Sequence, residues 1–285
     1  MIASIPSSRS SQFIRKAYLS LFFLFLFLPL SMVVVFAFND APYPMPPWKG
    51  FTLDWLFANG EHGRTGLWFD TELRDSLWNS LIIASTVSTL SVLAGTANAF
   101  LLERCDFRGK NVLSSLMLVP LVIPGVILGI SILAFMSRIA QFADNNFGME
   151  LEFLRPGLPL VIFGQFAYIV SITTLTISAR LKRFDLSLEE AAQNLGASRS
   201  AIFMTITLPY LRPALLGAAA IAFLLSFENF NTTYMLTGSD APLTILMYGR
   251  MKEGATPVIN AISLALMVLS LLFVSFNLLR KSGQD

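Results

Sequence analysis

Residues 187–209 run Ser187-Leu188-Glu189-Glu190-Ala191-Ala192-Gln193-Asn194-Leu195-Gly196-Ala197-Ser198-Arg199-Ser200-Ala201-Ile202-Phe203-Met204-Thr205-Ile206-Thr207-Leu208-Pro209, a polar stretch between two strongly apolar segments. Its punctuation predicts a helix-turn-helix elbow on a membrane surface. Ser187 and Glu190 have the S-x-x-E spacing of a capping box, so a short helix is expected to start there. Ala191 and Ala192 favour the helix and carry almost no side-chain bulk, which lets a partner surface come close. Gly196 supplies the left-handed residue that stops a helix. Ser198 is placed to cap a second helix with Ile202, Phe203 and Ile206 at helical spacing, and Pro209 and Pro213 are expected to break it. A capped connector would explain Glu190 by itself. The whole pattern, between two apolar segments, reads as a socket for another protein.

Those flanking segments set the class. Apolar residues make up 54% of the 285 residues and Asp, Glu, Lys and Arg only 13%, a balance that fits a multi-span membrane protein rather than a soluble domain. About 20 apolar residues cross the hydrocarbon core. Six segments meet that length: 17–38, 78–102, 112–137, 158–180, 213–236 and 257–279. The expected fold is therefore all-α and polytopic, with about six transmembrane helices and the elbow. The first segment follows Arg9, Arg15 and Lys16 as a signal peptide would. Its apolar run is too long for a signal core and has no A-x-A-like site after it, so it is expected to remain as a first span.

An even number of spans puts both termini on one side, and basic residues choose which. Of the 20 Lys and Arg, 13 fall in the N-terminal segment, residues 103–111, residues 180–212 and the C-terminal tail. The positive-inside bias places these regions, and the elbow, in the cytoplasm. The expected organisation is a cytoplasmic segment 1–16, a transmembrane domain 17–279 with an external segment 39–77 and a cytoplasmic loop 181–212, and a tail 280–285.

The external segment opens with the stiff run Ala41-Pro42-Tyr43-Pro44-Met45-Pro46-Pro47 and holds or borders Trp48, Trp55, Trp68 and Trp78. Trp78 reads as part of an interfacial aromatic belt. Two readings fit the other three, the same belt or a folded cap that meets an external protein. Pro29, Pro120, Pro124 and Pro159 lie in or near spans, where proline bends a helix and is tolerated beside protein or water. Gly125 and Gly129 have the G-x-x-x-G spacing of close helix packing.

Glu228 is the one ionisable residue expected deep within a span, about 22 Å along a helix counted from residue 213. Asn231 and Thr232, at i+3 and i+4, would share its face, with Phe227, Phe230 and Tyr234 alongside. A carboxylate among hydroxyls and rings suits an organic cation. A Glu bonded to neighbouring helices, or protonated in an apolar site, fits as well.

Catalytic chemistry is unsupported. Cys105 and His62 are each the only residue of their kind, which argues against His/Cys zinc sites, His-based triads and intrachain disulfides. No G-x-x-x-x-G-K-[ST], G-x-S-x-G or H-E-x-x-H occurs, so neither a nucleotide loop nor any other cofactor is expected on this chain, and any ATPase is a separate polypeptide.

The elbow matches E-A-A-x3-G-x9-I-x-L-P at Glu190, Ala191, Ala192, Gly196, Ile206, Leu208 and Pro209, and so resembles the cytoplasmic loop of ABC-importer permeases. Further stretches resemble the spermidine/putrescine permease group, close to its second permease subunit. They are Trp48-x-Gly50-Phe51-Thr52-x-x-Trp55, Asn79-Ser80-Leu81, Phe107-Arg108-Gly109-Lys110 and Met251-Lys252-x-Gly254-x-x-Pro257-x-x-Asn260-Ala261. The resemblance covers nearly the whole chain after residue 17. It departs at Glu228-Asn229, where the group often has an acidic pair. It implies a prokaryotic inner-membrane subunit in which those seven motif residues meet an ATPase. The implied partners are two ATPase copies, a second homologous permease, an external solute-binding protein and membrane lipid, with no nucleic acid. Related permeases carry phosphonates, iron or sulfate, and these solutes stay open, as does a membrane scaffold or intramembrane enzyme without transport activity.

Overall fold

The computed structural model describes residues 9–60, 63–254 and 256–282, so residues 1–8 of the N-terminal segment, His62 and residues 283–285 of the tail lie outside the described residues. In chain order the helices are α1 (Arg9–Phe36), α2 (Asp54–Phe57), α3 (Thr71–Arg104), α4 (Lys110–Leu116), α5 (Val119–Val122), α6 (Gly125–Phe147) and α7 (Leu158–Leu181). They continue with α8 (Ser187–Asn194), α9 (Arg199–Ile202), α10 (Leu208–Phe227), α11 (Thr233–Leu236), α12 (Leu243–Gly254) and α13 (Val258–Ser282). A 3₁₀ turn at Glu152–Leu154 and a π-turn at Phe203–Thr207 complete the described elements, and no named strand occurs among them. The chain is all-α, as expected.

Among the described residues five helices are long and apolar enough to cross a membrane: Ser10–Phe36, Thr71–Arg104, Gly125–Phe147, Leu158–Leu181 and Arg199–Phe227. The sixth expected span, 257–279, coincides with the 25-residue α13. Two expected spans are corrected. Residues 112–137 do not form one helix, because Ile123 (ψ 127°) and Pro124 (ψ 132°) are extended between α5 and α6. Proline has no amide hydrogen and pushes the preceding residue out of the helical region, so the break falls at residue 123 and the crossing helix runs on to Phe147. Residues 213–236 are likewise not one span. Pro209 does not end the second elbow helix. It sits in the first turn of α10, directly after the π-turn, and Pro213 is carried inside that helix. Helical backbone thus runs from Arg199 to Phe227, and α10 stops at Glu228.

Two compact units emerge. One contains residues 72–246. Its core joins Ile83 and Val87 of α3, Leu160, Val161 and Ile169 of α7, Ala222 of α10 and Leu236 of α11. Small residues let these backbones meet, which is how helices gain contact in a membrane. A methyl group added at Gly95 would lie 3.0 Å from the Thr174 amide nitrogen, and the Thr173 hydroxyl donates to the Ser91 carbonyl at 2.7 Å. The Ser88 hydroxyl donates to Ala219 O of α10 at 2.8 Å. Gly125 and Gly129 pack as expected, the first against Asn231 and Thr232, the second against Thr232 and Met235.

The other unit contains residues up to 71 and from 247 onward. Within it, residues 39–60 and 63–71 are folded rather than a loose loop. Trp55, 6% exposed, donates its indole N–H to Asn39 O at 2.8 Å. Arg64 lies 5.0 Å over the Trp55 ring and bonds Asp40 and Asp54, and the Asp40 hydrogen bond raises its pKa above the usual arginine value. Arg250 forms a two-pronged pair with Asp70, one contact at 2.9 Å. Trp48 and Trp68 are exposed, and Trp78 on α3 is 64% exposed as a belt residue would be.

Candidate functional site

The elbow forms where the sequence put it, with one difference in its cap. Ser187 is the first residue of α8, Leu186 before it already has helical angles, and no side-chain cap bond occurs at this end. The S-x-x-E box is therefore not closed. Asp185 takes its place by accepting from the Ser187 amide at 3.0 Å. Bonds from the Ser187 hydroxyl and then its amide hold the Asp185 carboxyl below its usual range, so this help to the helix start is present above that range and is lost as pH falls through the lowered value. Gly196 is left-handed at φ +85°, and Ala197 N–H bonds Ala192 O at 3.0 Å, the six-to-one closure of a Schellman stop. Ser198 caps α9 as expected, accepting from Ala201 N–H at 3.3 Å.

Around that turn Glu190, Ala191, Gly196 and Pro209 are exposed, Ala192 and Leu208 are half-buried, and Ile206 packs on Leu181, Phe184 and Leu211. The motif thus divides into an outward surface and an anchor. Leu195, not singled out from sequence, is 89% exposed beside Gly196.

The second feature is the interruption between α10 and α11. Glu228 is the C-terminal cap of α10, not a mid-helix residue, and it is exposed. The i+3, i+4 face expected with Asn231 and Thr232 therefore does not form, since residues 228–232 are not helical. Asn231 and Thr232 instead line a cavity of about 270 Å³ with Tyr168, Asn229, Pro120 and Ile123. Phe227 stacks on Phe223 at 6.0 Å, and Tyr234 on Phe230 at 5.3 Å.

A continuous hydrogen-bond chain holds this break. Ser226 Oγ donates to Gln165 Oε1, Gln165 Nε2 to Thr233 Oγ1 at 2.8 Å, Thr233 Oγ1 to Asn229 Oδ1 at 2.8 Å, and Asn229 Nδ2 to the Tyr168 hydroxyl at 2.7 Å. Thr244 Oγ1 adds a bond to Asn229 O at 3.1 Å. Backbone freed at membrane depth needs such partners or water. Gln165 and Tyr168 were missed from sequence, and Asn229 was noted there only as a departure from an acidic pair. The polar run Asn229 to Thr233 was the local signal, but its partners on α7 lie some 60 residues away. Among the described residues no group of three or more His, Cys, Asp or Glu could hold a metal ion.

A helical chain with membrane-length spans, a polar elbow between two of them and an interrupted helix beside a polar cavity fits a membrane transport subunit. The chain belongs to the family of binding-protein-dependent transport system inner membrane components, whose pattern matches residues 91–282. It is 28% identical to the spermidine/putrescine transport system permease protein PotC of Escherichia coli (strain K12), over 92% of this chain and 91% of that protein. It is 31% identical to the putrescine transport system permease protein PotI of the same strain, over 87% of this chain and 84% of that protein. A bacterial alginate ABC transporter, solved with an alginate pentasaccharide-bound periplasmic protein, shares the fold at TM-score 0.69 and 17% identity, over 92% of this chain and 90% of that one. The chain is accordingly a permease of an ABC-type importer in the inner membrane, and not an enzyme.

Proposed function

We propose that this permease passes a small organic cation, a di- or polyamine such as putrescine or spermidine, handed over by an external solute-binding protein. Two ATPase copies drive it from the cytoplasm, and a second homologous permease completes the pathway. The elbow 187–209 is the ATPase contact, through Glu190, Ala191, Ala192, Gly196, Leu208 and Pro209, with Ile206 as its anchor. Glu228, with Asn231, Thr232, Phe227 and Tyr234 beside it, lies along the solute path.

The observation that carries the cation reading is Glu228 at the exposed end of α10, next to a neutral polar break. Asn229 is neutral and engaged in holding that break, and Glu228 is the one charged residue of the stretch 228–232. A carboxylate there attracts an ammonium group and repels an anion. The names of the relatives point the same way. In proteoliposomes holding the full complex and its binding protein, labelled putrescine or spermidine should enter in an ATP-dependent, saturable manner. A complex that ignores both amines and carries an anionic solute would refute the assignment.

The partition of basic residues supports placing both termini and Cys105 in the cytoplasm. Cys105 is exposed, so it can report the side directly. A membrane-impermeant thiol reagent should leave Cys105 unlabelled in intact cells and label it after permeabilisation. Labelling in intact cells, equal to that of an external control cysteine, would reverse the orientation.

A further inference from the structure

We propose that Glu189 is a positioning residue that carries movement of the elbow into the membrane, acting as a strut between α8 and the cytoplasmic ends of α3 and α10. It rests on the elbow being the ATPase contact. The helix α8 has no buried residue of its own, so packing alone does not hold it. A cavity of about 570 Å³ opens behind it, lined by Phe100, Glu103, Arg104, Gln193, Arg199 and Phe203 among others. Glu189 bridges this space. Its Oε1 takes Arg104 NH2 at 3.0 Å and its Oε2 takes Arg104 NH1 at 3.2 Å, a bidentate fork. Its Oε1 also accepts from the Thr207 hydroxyl at 2.7 Å.

Both partners sit where motion would have to pass. Arg104 is the last residue of the 34-residue α3, and its guanidinium lies 5.1 Å over the Phe184 ring, which fixes it from the other side. Thr207, 2% exposed, directly precedes α10, whose far end is the Glu228 break. The covalent route from elbow to α10 runs through the π-turn Phe203–Thr207, where the regular bond ladder is interrupted. Glu189 spans that interruption. With only 20% and 21% of the two charged side chains exposed, the fork is less screened than a surface pair, and a bidentate geometry resists sliding as well as separation. Neighbouring Glu190 points outward and Glu189 inward, so docking and transmission fall on adjacent carboxylates.

The test uses the complete complex in proteoliposomes and reads solute moved per ATP hydrolysed, a ratio that a merely structural residue leaves alone once assembly is normal. Glu189→Gln and Arg104→Gln should each assemble with the ATPase and lower the ratio roughly tenfold, within the usual span of coupling effects. Exchanging the charges, Arg104→Glu with Glu189→Arg, should recover most of it. An unchanged ratio in both single variants overturns the proposal. So does loss of ATPase co-purification in Glu189→Gln, which would place this carboxylate in the docking surface, and so does an exchange no better than the single variants. A photoreactive residue at Ala192 that fails to label the ATPase in an otherwise unaltered complex overturns the elbow reading itself, and the strut with it.

Discussion

Gly196→Val is expected to uncouple ATP hydrolysis from transport while leaving the membrane-spanning helices folded. The residue sits at φ +85° with nothing within 4 Å of the position a side chain would occupy. Steric clash is therefore not the cause. The cost is backbone strain, about 1–3 kcal/mol for a non-glycine residue held in this region and greatest for a β-branched one. The turn relieves it by leaving the left-handed conformation, which opens the Ala197 to Ala192 closure and would swing Leu195 and the end of α8 out of the proposed docking geometry. A penalty of 1–3 kcal/mol on the coupled state corresponds to about 5–150-fold in equilibrium terms. Uptake should fall by that order, with the ATPase still co-purifying at reduced yield. Gly196→Asn, which tolerates the left-handed region, should keep most of the activity. Solute-stimulated ATPase activity and uptake both at the unaltered level in the valine variant would show that the turn does not transmit.

Glu228→Gln carries the second large effect. The substitution keeps the shape and removes the charge. Opposite charges about 4 Å apart attract by roughly 4 kcal/mol at an effective dielectric near 20, and desolvation offsets part of that, so uptake of a polyamine should drop by about tenfold or more. Solute affinity of the external binding protein should be untouched. Amine uptake by the variant equal to that of the original complex, across the pH range, would exclude a required charge at this position. A purely packing role for Glu228 predicts that result, and its exposure argues against packing.

The elbow was legible in the sequence because its chemistry is local. Gly196 at the stop and Ser198 at the following cap each act within three or four residues, and the structure keeps both. Even there Asp185 displaced the capping box, since the helix began earlier than the S-x-x-E spacing implied. The two broken spans were not legible from hydropathy. An apolar window weighs Ile123-Pro124 and Glu228-Asn229 against some twenty apolar neighbours and reports one continuous helix. The breaks depend on backbone geometry at one residue and on partners far along the chain. Gln165 pairs with Ser226 and Thr233, and Tyr168 with Asn229, across about 60 residues of sequence. Glu189 and Arg104, 85 residues apart, were hidden for the same reason. Trp55 shows the intermediate case, where aromatic content announced either a folded segment or a belt and only the Asn39 contact showed this ring buried in a folded segment.

Ending α10 at Glu228 also shapes the electric field there. A helix terminus of this polarity gathers the unpaired carbonyls of its last turn and carries about half a negative charge, independent of any side chain. The carboxylate of Glu228 adds to that field instead of opposing it. Neutralising the side chain therefore leaves a residual attraction for cations, so Glu228→Gln should retain a small polyamine flux, whereas Glu228→Lys reverses the local sign and should suppress it further. On the proposed solute path the backbone would thus contribute part of the selectivity, and no substitution could remove that part without rebuilding the helix end.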